Sequence, residues 1–267
     1  MATPTLLIIG HLCHDRMPSG AIKLGGTAAY AAFLAKKMGA EITILTSVGD
    51  DFAFYDLFEK EGISIFNISA KETTVFENIY PEDGSERIQY LHARAATIST
   101  KDIPNDLMVP DMVLFCPIAD EVDLGLLEYF PDSLKMATIQ GWLRDWNEEG
   151  LVAPKVMNWE GLAPLDLLVF SDADIVGFEN SISVISDIVP IVIMTRGWNG
   201  VRVFEGNKTR NFPTEPIEVK DATGAGDSFA MAFLLKYFKT KEIKAAVDYG
   251  QKVAREVIGG FFDVWIF

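Results

Sequence analysis

This chain is poor in three things. It has two cysteines, Cys13 and Cys116, in 267 residues. That is too few for a disulfide scaffold, so reduced thiols in a cytoplasmic setting are expected. It is poor in positive charge, with 23 Lys and Arg against 38 Asp and Glu, a formal net charge of −15. Such a field disfavours nucleic acid and anionic membranes as partners. A nucleotide ligand would need local amides and a divalent cation to overcome it. It also lacks any apolar run near the ~18 residues that cross a membrane, and a basic segment followed by an apolar core at its start. Neither G-x-x-x-x-G-K-[ST] nor a G-x-G-x-x-G after the first strand is present. What it does have is 49% hydrophobic and 11% aromatic residues, enough for one large α/β domain with a small appendage.

The hydrophobic pattern alternates between strand and helix. Thr5 to Gly10 reads as a buried strand ending in glycine. Thr27, an N-cap by residue type, precedes a helix from Ala28 to Met38 that Gly39 closes. A strand over Glu41–Ser47 and a helix over Asp51–Glu61 follow. This predicts a parallel sheet covered by helices. The pattern then breaks. Thr73–Tyr80 and Arg87–Arg94 alternate polar and apolar residues around Pro81-Glu82-Asp83-Gly84-Ser85, which reads as a hairpin and a candidate lid. Strands near 112–115, 136–139, 167–170 and 191–194 resume the alternation, followed by a hairpin over 199–212 and helices over 224–237 and 241–257.

The densest motif is Asp221-Ala222-Thr223-Gly224-Ala225-Gly226-Asp227. It lies between a strand-like run and an apolar helical run. Small residues at such a junction leave backbone N–H groups free for an anion, and the helix dipole favours negative charge there. An aspartate shares the turn. An anion cradle beside a carboxylate is what phosphoryl transfer to a hydroxyl requires. His11, Cys13 and His14 cluster after the first strand, but zinc needs three or four ligands, and packing is the expected role. Trp142, Trp146 and Trp159 are expected in the core.

Asp221 to Asp227 resembles the C-terminal signature of the ribokinase-like (PfkB) carbohydrate kinases. Gly25-Gly26-Thr27-Ala28-Ala29-Tyr30-Ala31-Ala32, with Thr46-Ser47-Val48-Gly49-Asp50-Asp51, resembles the N-terminal signature. Thr195-Arg196-Gly197-Trp198-Asn199-Gly200 resembles the segment before the family's nucleotide site. Gly10-His11-Leu12-Cys13-His14-Asp15, Lys71 to Glu77, Tyr30 and Gln140-Gly141-Trp142-Leu143-Arg144 are similar to the myo-inositol kinase-like branch.

The resemblance implies a single ribokinase-like α/β domain over 1–267, a three-layer sandwich with a central mostly parallel sheet. A small β-lid would form from residues 11–24 and 73–94. It implies ATP with Mg²⁺, and in many members K⁺. Asp227 would be the general base, with Gly224, Ala225 and Gly226 as the anion hole. Asp15, Gly25, Gly26, Tyr30, Gln140 and Arg144 would bind the acceptor. Thr195 and Gly197, with Gly224 and Gly226, would bind the nucleotide. Asp221 and Thr223 would support a monovalent cation. A lid edge could pair with a second subunit into a homodimer.

Two positions depart from the family. Tyr30 replaces the usual sugar-binding asparagine, which argues against a ribose pocket. The Asn-x-x-Glu motif that organises Mg²⁺ is missing near 171–182, where Glu179 is a partial substitute. The expected activity is therefore ATP-dependent phosphorylation of a small sugar or polyol, with myo-inositol or a related cyclitol as the leading acceptor. A ribose or nucleoside kinase, and a non-catalytic sugar- or nucleotide-sensing homologue, are the alternatives.

Overall fold

The computed structural model describes residues 3–81, 87–217 and 223–260. The chain opens with β1 (Thr5–Ile9), the antiparallel pair β2 (Cys13–Arg16) and β3 (Ile22–Gly25), α1 (Thr27–Lys37), β4 (Glu41–Gly49), α2 (Tyr55–Lys60) and β5 (Ser64–Ala70). A hairpin of β6 (Thr74–Ile79) and β7 (Ile88–Ala93) leads to β8 (Met112–Phe115) and β9 (Leu134–Thr138). A small hairpin, β10 (Arg144–Trp146) and β11 (Val152–Pro154), precedes β12 (Leu167–Ser171), α3 (Ser181–Ile188) and β13 (Ile191–Thr195). The hairpin β14 (Val201–Glu205) and β15 (Lys208–Phe212) and the helices α4 (Ala225–Thr240) and α5 (Ile243–Ile258) finish the described chain.

Nine strands form the main sheet in the order β15-β14-β13-β12-β9-β8-β1-β4-β5. All of its pairings are parallel except those of β14 with β13 and β15. Period-two alternation splits each central strand between two cores. In β1, Leu6 and Ile8 face a core built with α1, α4 and α5. Leu7 and Ile9 face a second core that α3 and short turns around Leu126 and Leu162 complete. The result is three layers, helices on both faces of a sheet, as the sequence implied. Helices α1 and α4 are apolar on nearly every side, because each lies between the sheet and neighbouring helices.

The sheet reverses direction at β1. From there the chain passes to β4 and β5 on one side, and to β8, β9, β12 and β13 on the other. Such a reversal opens a crevice at the carboxyl ends of the two strands beside it, here β1 and β8. Over it sits a second sheet in the order β3-β2-β6-β7, drawn from the two segments read as a lid and called the lid for its position. The tip of its hairpin, residues 82–86, is outside the described residues, as are Asp221, Ala222 and the apolar segment 261–267.

Two details tie the lid to the crevice. The His11 ring is fully buried; its Nε2 lies 2.8 Å from the Ala96 carbonyl and its Nδ1 2.8 Å from the Thr74 hydroxyl. A carbonyl only accepts, so Nε2 carries the proton and the Thr74 hydroxyl donates to Nδ1. Burial holds His11 below its ordinary pKa, in this neutral form. Packing, rather than metal ligation, is thus the role of the ring. Glu121 is also fully buried. Its carboxylate accepts the amides of His11 (2.9 Å), Ile118 (3.0 Å) and Ala119 (2.6 Å), joining the loops after β1 and β8.

Several boundaries differ from the sequence expectation. Gly26, not Thr27, caps α1; it holds φ of 93°, and a Cβ there would lie 2.6 Å from the His11 carbonyl oxygen. Thr27 is the first helical residue, which releases its hydroxyl for another task. Helix α2 starts at Tyr55 instead of Asp51, because the Asp51 carboxylate accepts from the Thr73 amide and hydroxyl (2.9 and 2.7 Å). Strand β5 and helix α3 escaped the reading. The alternation in β5 is masked by its half-exposed position at the sheet edge.

Glu121→Ala would strand three buried amides and open a void. It is expected to cost at least about 3 kcal/mol. Thermal denaturation followed by circular dichroism should register a drop of roughly 5–10 °C.

Candidate functional site

The crevice, the lid and the start of α4 enclose a cavity of about 680 Å³. Thr138, Ser171 and Thr195, at the ends of β9, β12 and β13, line its floor. Asp15, Phe76, Asn78 and Gln89 line it from the lid strands, joined by Arg87.

At one end Gly224 takes a left-handed conformation, φ 73°, as the N-cap of α4. Ala225, Gly226 and Asp227 form the first helical turn, whose amides have no partner within the helix. All four residues line the cavity. Burial raises the Asp227 carboxyl to about 6, the negative charge of Asp174 adds to the rise, and a Thr27 hydrogen bond and Arg144 oppose it. Asp15 faces the same cavity from β2. It too is raised to about 6 by burial, with Arg87, Arg144 and Lys23 acting the other way. A Cβ on Gly25 would lie 2.4 Å from the Asp15 carboxylate, so this glycine stands behind the acid while Gly26 lines the cavity.

Tyr30, Gln140 and Arg144 reach the cavity as the sequence suggested. Their commitments differ from simple ligand contacts. Gln140 Nε2 donates to Thr27 Oγ1 (2.9 Å), and Arg144 donates to Gln140 Oε1 and to the Ile118 carbonyl (2.8 Å each). Burial lowers Arg144 to about 10, still charged at neutral pH. Gly141 makes this arrangement feasible, since a Cβ there would lie 2.2 Å from the Pro117 carbonyl carbon.

Three groups were not foreseen. Asn78 and Gln89 are joined across the lid hairpin, Gln89 Nε2 donating to Asn78 Oδ1 at 2.8 Å. The alternation of β6 and β7 marks them as same-face neighbours once the hairpin is read. Among the described residues, the one buried side-chain polar atom without a hydrogen-bond partner is Thr138 Oγ1, on the cavity wall. The third group is Ser171 with Asp174: the Ser171 amide and hydroxyl both donate to Asp174 Oδ2 at 2.8 Å, and both residues line the cavity. Ser171-x-x-Asp174 has the spacing of Asn-x-x-Glu with shorter side chains, so a search for any polar residue three before an acid would have found it.

Glu179, by contrast, is exposed and bonds the Gly177 amide, and it does not line the cavity. Its place next to the missing motif is sequence proximity only. Thr223 lines the cavity; its intended partner Asp221 is outside the described residues. Among the described residues no cluster of three or more His, Cys, Asp or Glu is arranged to hold a metal.

A second cavity of about 290 Å³ adjoins the first. Gly197, Trp198, Phe229, Ala254 and Ile258 line it, and Thr195, Ala225 and Gly226 are shared by both cavities. Thr195 and Gly197, expected near a nucleotide, are therefore brought beside the α4 turn. Among the described residues, no helix is long and apolar enough to cross a membrane.

Because Asp227 is raised on folding, its ionised form opposes stability above pH 6, and that cost fades as pH falls towards 4. Asp227→Asn is expected to melt above wild type at pH 8 and to lose most of that advantage by pH 4, measured by differential scanning calorimetry.

Comparison with known proteins agrees with this geometry. Residues 171–261 match the pfkB family carbohydrate kinase model. A cytidine kinase of Thermococcus kodakarensis is 28% identical, covering 95% of each chain. Among solved structures, a pyrophosphate-dependent kinase in the ribokinase family, in a sulfate complex, superposes with a TM-score of 0.80 at 21% identity over 95% of each chain. A pyrophosphate-dependent ribokinase-family kinase complexed with a pyrophosphate analog and myo-inositol gives 0.79 at 21% identity, covering 95% of this chain and 94% of the other. The fold is thus the ribokinase-like α/β fold of these neighbours, and the stretch similar to the pfkB family carbohydrate kinases, residues 171–261, includes the α4 turn.

Proposed function

We propose that this kinase transfers a phosphoryl group from ATP to a hydroxyl of a small polyol, a cyclitol such as myo-inositol being the leading acceptor. One observation carries the reading: Asp227 and the free amides of Ala225 and Gly226 share one helical turn, facing a cavity that holds Asp15 and the Asn78–Gln89 pair on its lid side. An acceptor hydroxyl would lose its proton to Asp227 as it attacks the phosphorus, while the amides hold the charge that develops on the phosphoryl oxygens. A carboxyl near 6 is a better base than an ordinary aspartate and is still mostly ionised at neutral pH. Asp15 can accept two hydroxyls at once, and the linked amides of Asn78 and Gln89 offer both donors and acceptors. That chemistry suits a neutral ligand rich in hydroxyls.

The donor assignment rests on the second cavity. Its walls are mostly apolar and it opens beside the cradle, which suits a nucleobase whose phosphates reach Gly226. Mg²⁺ would arrive with the donor phosphates, neutralising their charge, and Asp174 with Ser171 would be its protein-side contact. One oxygen of Asp174 is already oriented by Ser171, which fits a carboxylate that meets a hydrated ion. A monovalent-cation role for Asp221 and Thr223 is part of the same proposal. A nucleoside acceptor is the second reading, favoured by the likeness to a cytidine kinase over nearly the whole chain.

Phosphoryl transfer from ATP or pyrophosphate to myo-inositol, ribose, fructose and cytidine, read by ³¹P NMR, tests the proposal. Turnover of a cyclitol with ATP is expected. Asp227→Asn should lower kcat by about 10²- to 10⁴-fold, and undiminished activity would falsify the base assignment. Ala254→Trp, which fills the second cavity, should raise KM for ATP at least about tenfold. An unchanged KM for ATP, or turnover with pyrophosphate alone, would remove the nucleotide from the proposal.

A further inference from the structure

Three hydroxyl side chains stand in a row on the cavity floor, at the ends of β9, β12 and β13. Two are committed within the fold. Ser171 Oγ donates to Asp174 Oδ2 at 2.8 Å, and Thr195 Oγ1 donates to the Phe170 carbonyl at 3.4 Å. Thr138 Oγ1 has no hydrogen-bond partner, although its residue is only 8% exposed. Leaving a buried hydroxyl unpaired costs free energy. The strand does not ask for one. Valine has the same branched shape, suits a strand equally well and carries no polar atom. The residue beside Thr138 in the β12 register is a valine, Val169.

The sheet fixes where this side chain points. Along β9, Met136 faces the core built with α1 and α4, and Ala137 faces the opposite core. Period two puts Thr138 on the Met136 side, where Val169 also lies. Helix α4 packs against both strands. Thr138 therefore faces the layer in which α1 begins at Thr27 and α4 begins after Gly224, and all of these residues line one cavity. Its place is on the acceptor side. Thr195, Ala225 and Gly226 also line the second cavity. Thr138 does not, and the chain runs on from it to Ile139 and Gln140, which line the first cavity and not the second.

We propose that Thr138 is a specificity-determining residue whose hydroxyl pairs with a hydroxyl of the acceptor, a neutral polyhydroxyl compound. The inference rests on the kinase reading and adds a contact on the cavity floor to the Asn78–Gln89 pair on the lid. Solvent does not reach Oγ1. One staggered turn about Cα–Cβ exchanges the hydroxyl with the methyl, so the group can turn to a ligand seated on the floor. A threonine hydroxyl donates one hydrogen bond and accepts two, which matches another hydroxyl in either direction. Being neutral, it adds no charge to a wall that already carries Asp15 and Asp227. Because the fold leaves it unpaired, an acceptor without a hydroxyl at that point gains nothing from it.

Thr138→Val removes the hydroxyl at constant shape and tests this in two ways. Without acceptor, the variant is expected to melt at or above the wild-type temperature, since no bond is lost. A fall of several degrees, or failure to fold, would mean that the hydroxyl serves the fold, and overturns the proposal. On the acceptor turned over fastest in the panel above, Thr138→Val should raise the acceptor KM about tenfold and leave kcat and the donor KM within about threefold. Thr138→Ser should stay within about threefold of wild type throughout. Monodeoxy analogues of that acceptor locate the contact. On one of them, wild type and Thr138→Val are expected to agree within about twofold, because the hydroxyl that Thr138 meets is gone. An unchanged acceptor KM, an equal loss on every analogue, or a rise in the donor KM alone overturns the assignment. If Asp227→Asn is inactive while Thr138→Val behaves as wild type, the role of Thr138 falls and the kinase reading stands. If wild type turns over no compound in the panel, the acceptor reading falls. Calorimetric titration of the same compounds then reads Thr138, and a Kd unchanged in Thr138→Val, or no binding at all, overturns its role as well.

Discussion

The buried carboxylate of Glu121 is the interaction on which the site's geometry hangs. Parallel strands end in loops whose amides must find partners, and the two loops at the sheet reversal have little regular structure to supply them. Glu121 meets that need for His11, Ile118 and Ala119 together. The loop after β1 runs directly into β2 and Asp15, while Ile118 receives Arg144 through its carbonyl. A single side chain thus links the loop that leads to Asp15 with the loop that holds Arg144. The close backbone approaches at Gly26 and Gly141 are affordable only because this frame does not move.

Asp15 and Asp227 share one physical situation and differ in their neighbours. Burial raises both to about 6. Around Asp15 the other charges are Arg87, Arg144 and Lys23, all positive. Around Asp227 one is negative, Asp174, and one is positive, Arg144, which is itself turned mainly to Gln140 and Ile118. With both raised to about 6, both are mostly ionised at neutral pH. What differs is the charge that accompanies them: an acidic neighbour, Asp174, stands by Asp227, whereas the charges around Asp15 are basic.

Much of this was legible in the sequence, and what was not has physical causes. The central strands were readable because both faces are buried and the apolar runs are unbroken. The lid hairpin was readable from its alternation between turn residues. The edge strand β5 was not, since half-exposure gives it a mixed composition. Thr27 was taken as a cap because threonine favours that position; the close contact of Gly26 with the His11 carbonyl, a tertiary fact, moved the helix start by one residue. Ser171 and Asp174 were passed over because the pattern sought named residue types, whereas the chemistry asks for a polar group and an acid one helical turn apart. Glu179 was preferred as the nearest glutamate, and sequence distance proved a poor guide where a turn redirects the chain.

The first turn of α4 also separates the two cavities. Thr195, Ala225 and Gly226 line both, so whatever occupies the smaller space communicates with the larger one across those amides. In a chain of net charge −15, an anion has few favourable places to rest. A helix start with free amides is one, and it works at short range where the summed field of distant carboxylates is screened. This explains why the cradle needs no basic motif. The excess negative charge sets a background that repels anions generally, and among the described residues the α4 turn offers a local exception beside the Asp227 carboxylate.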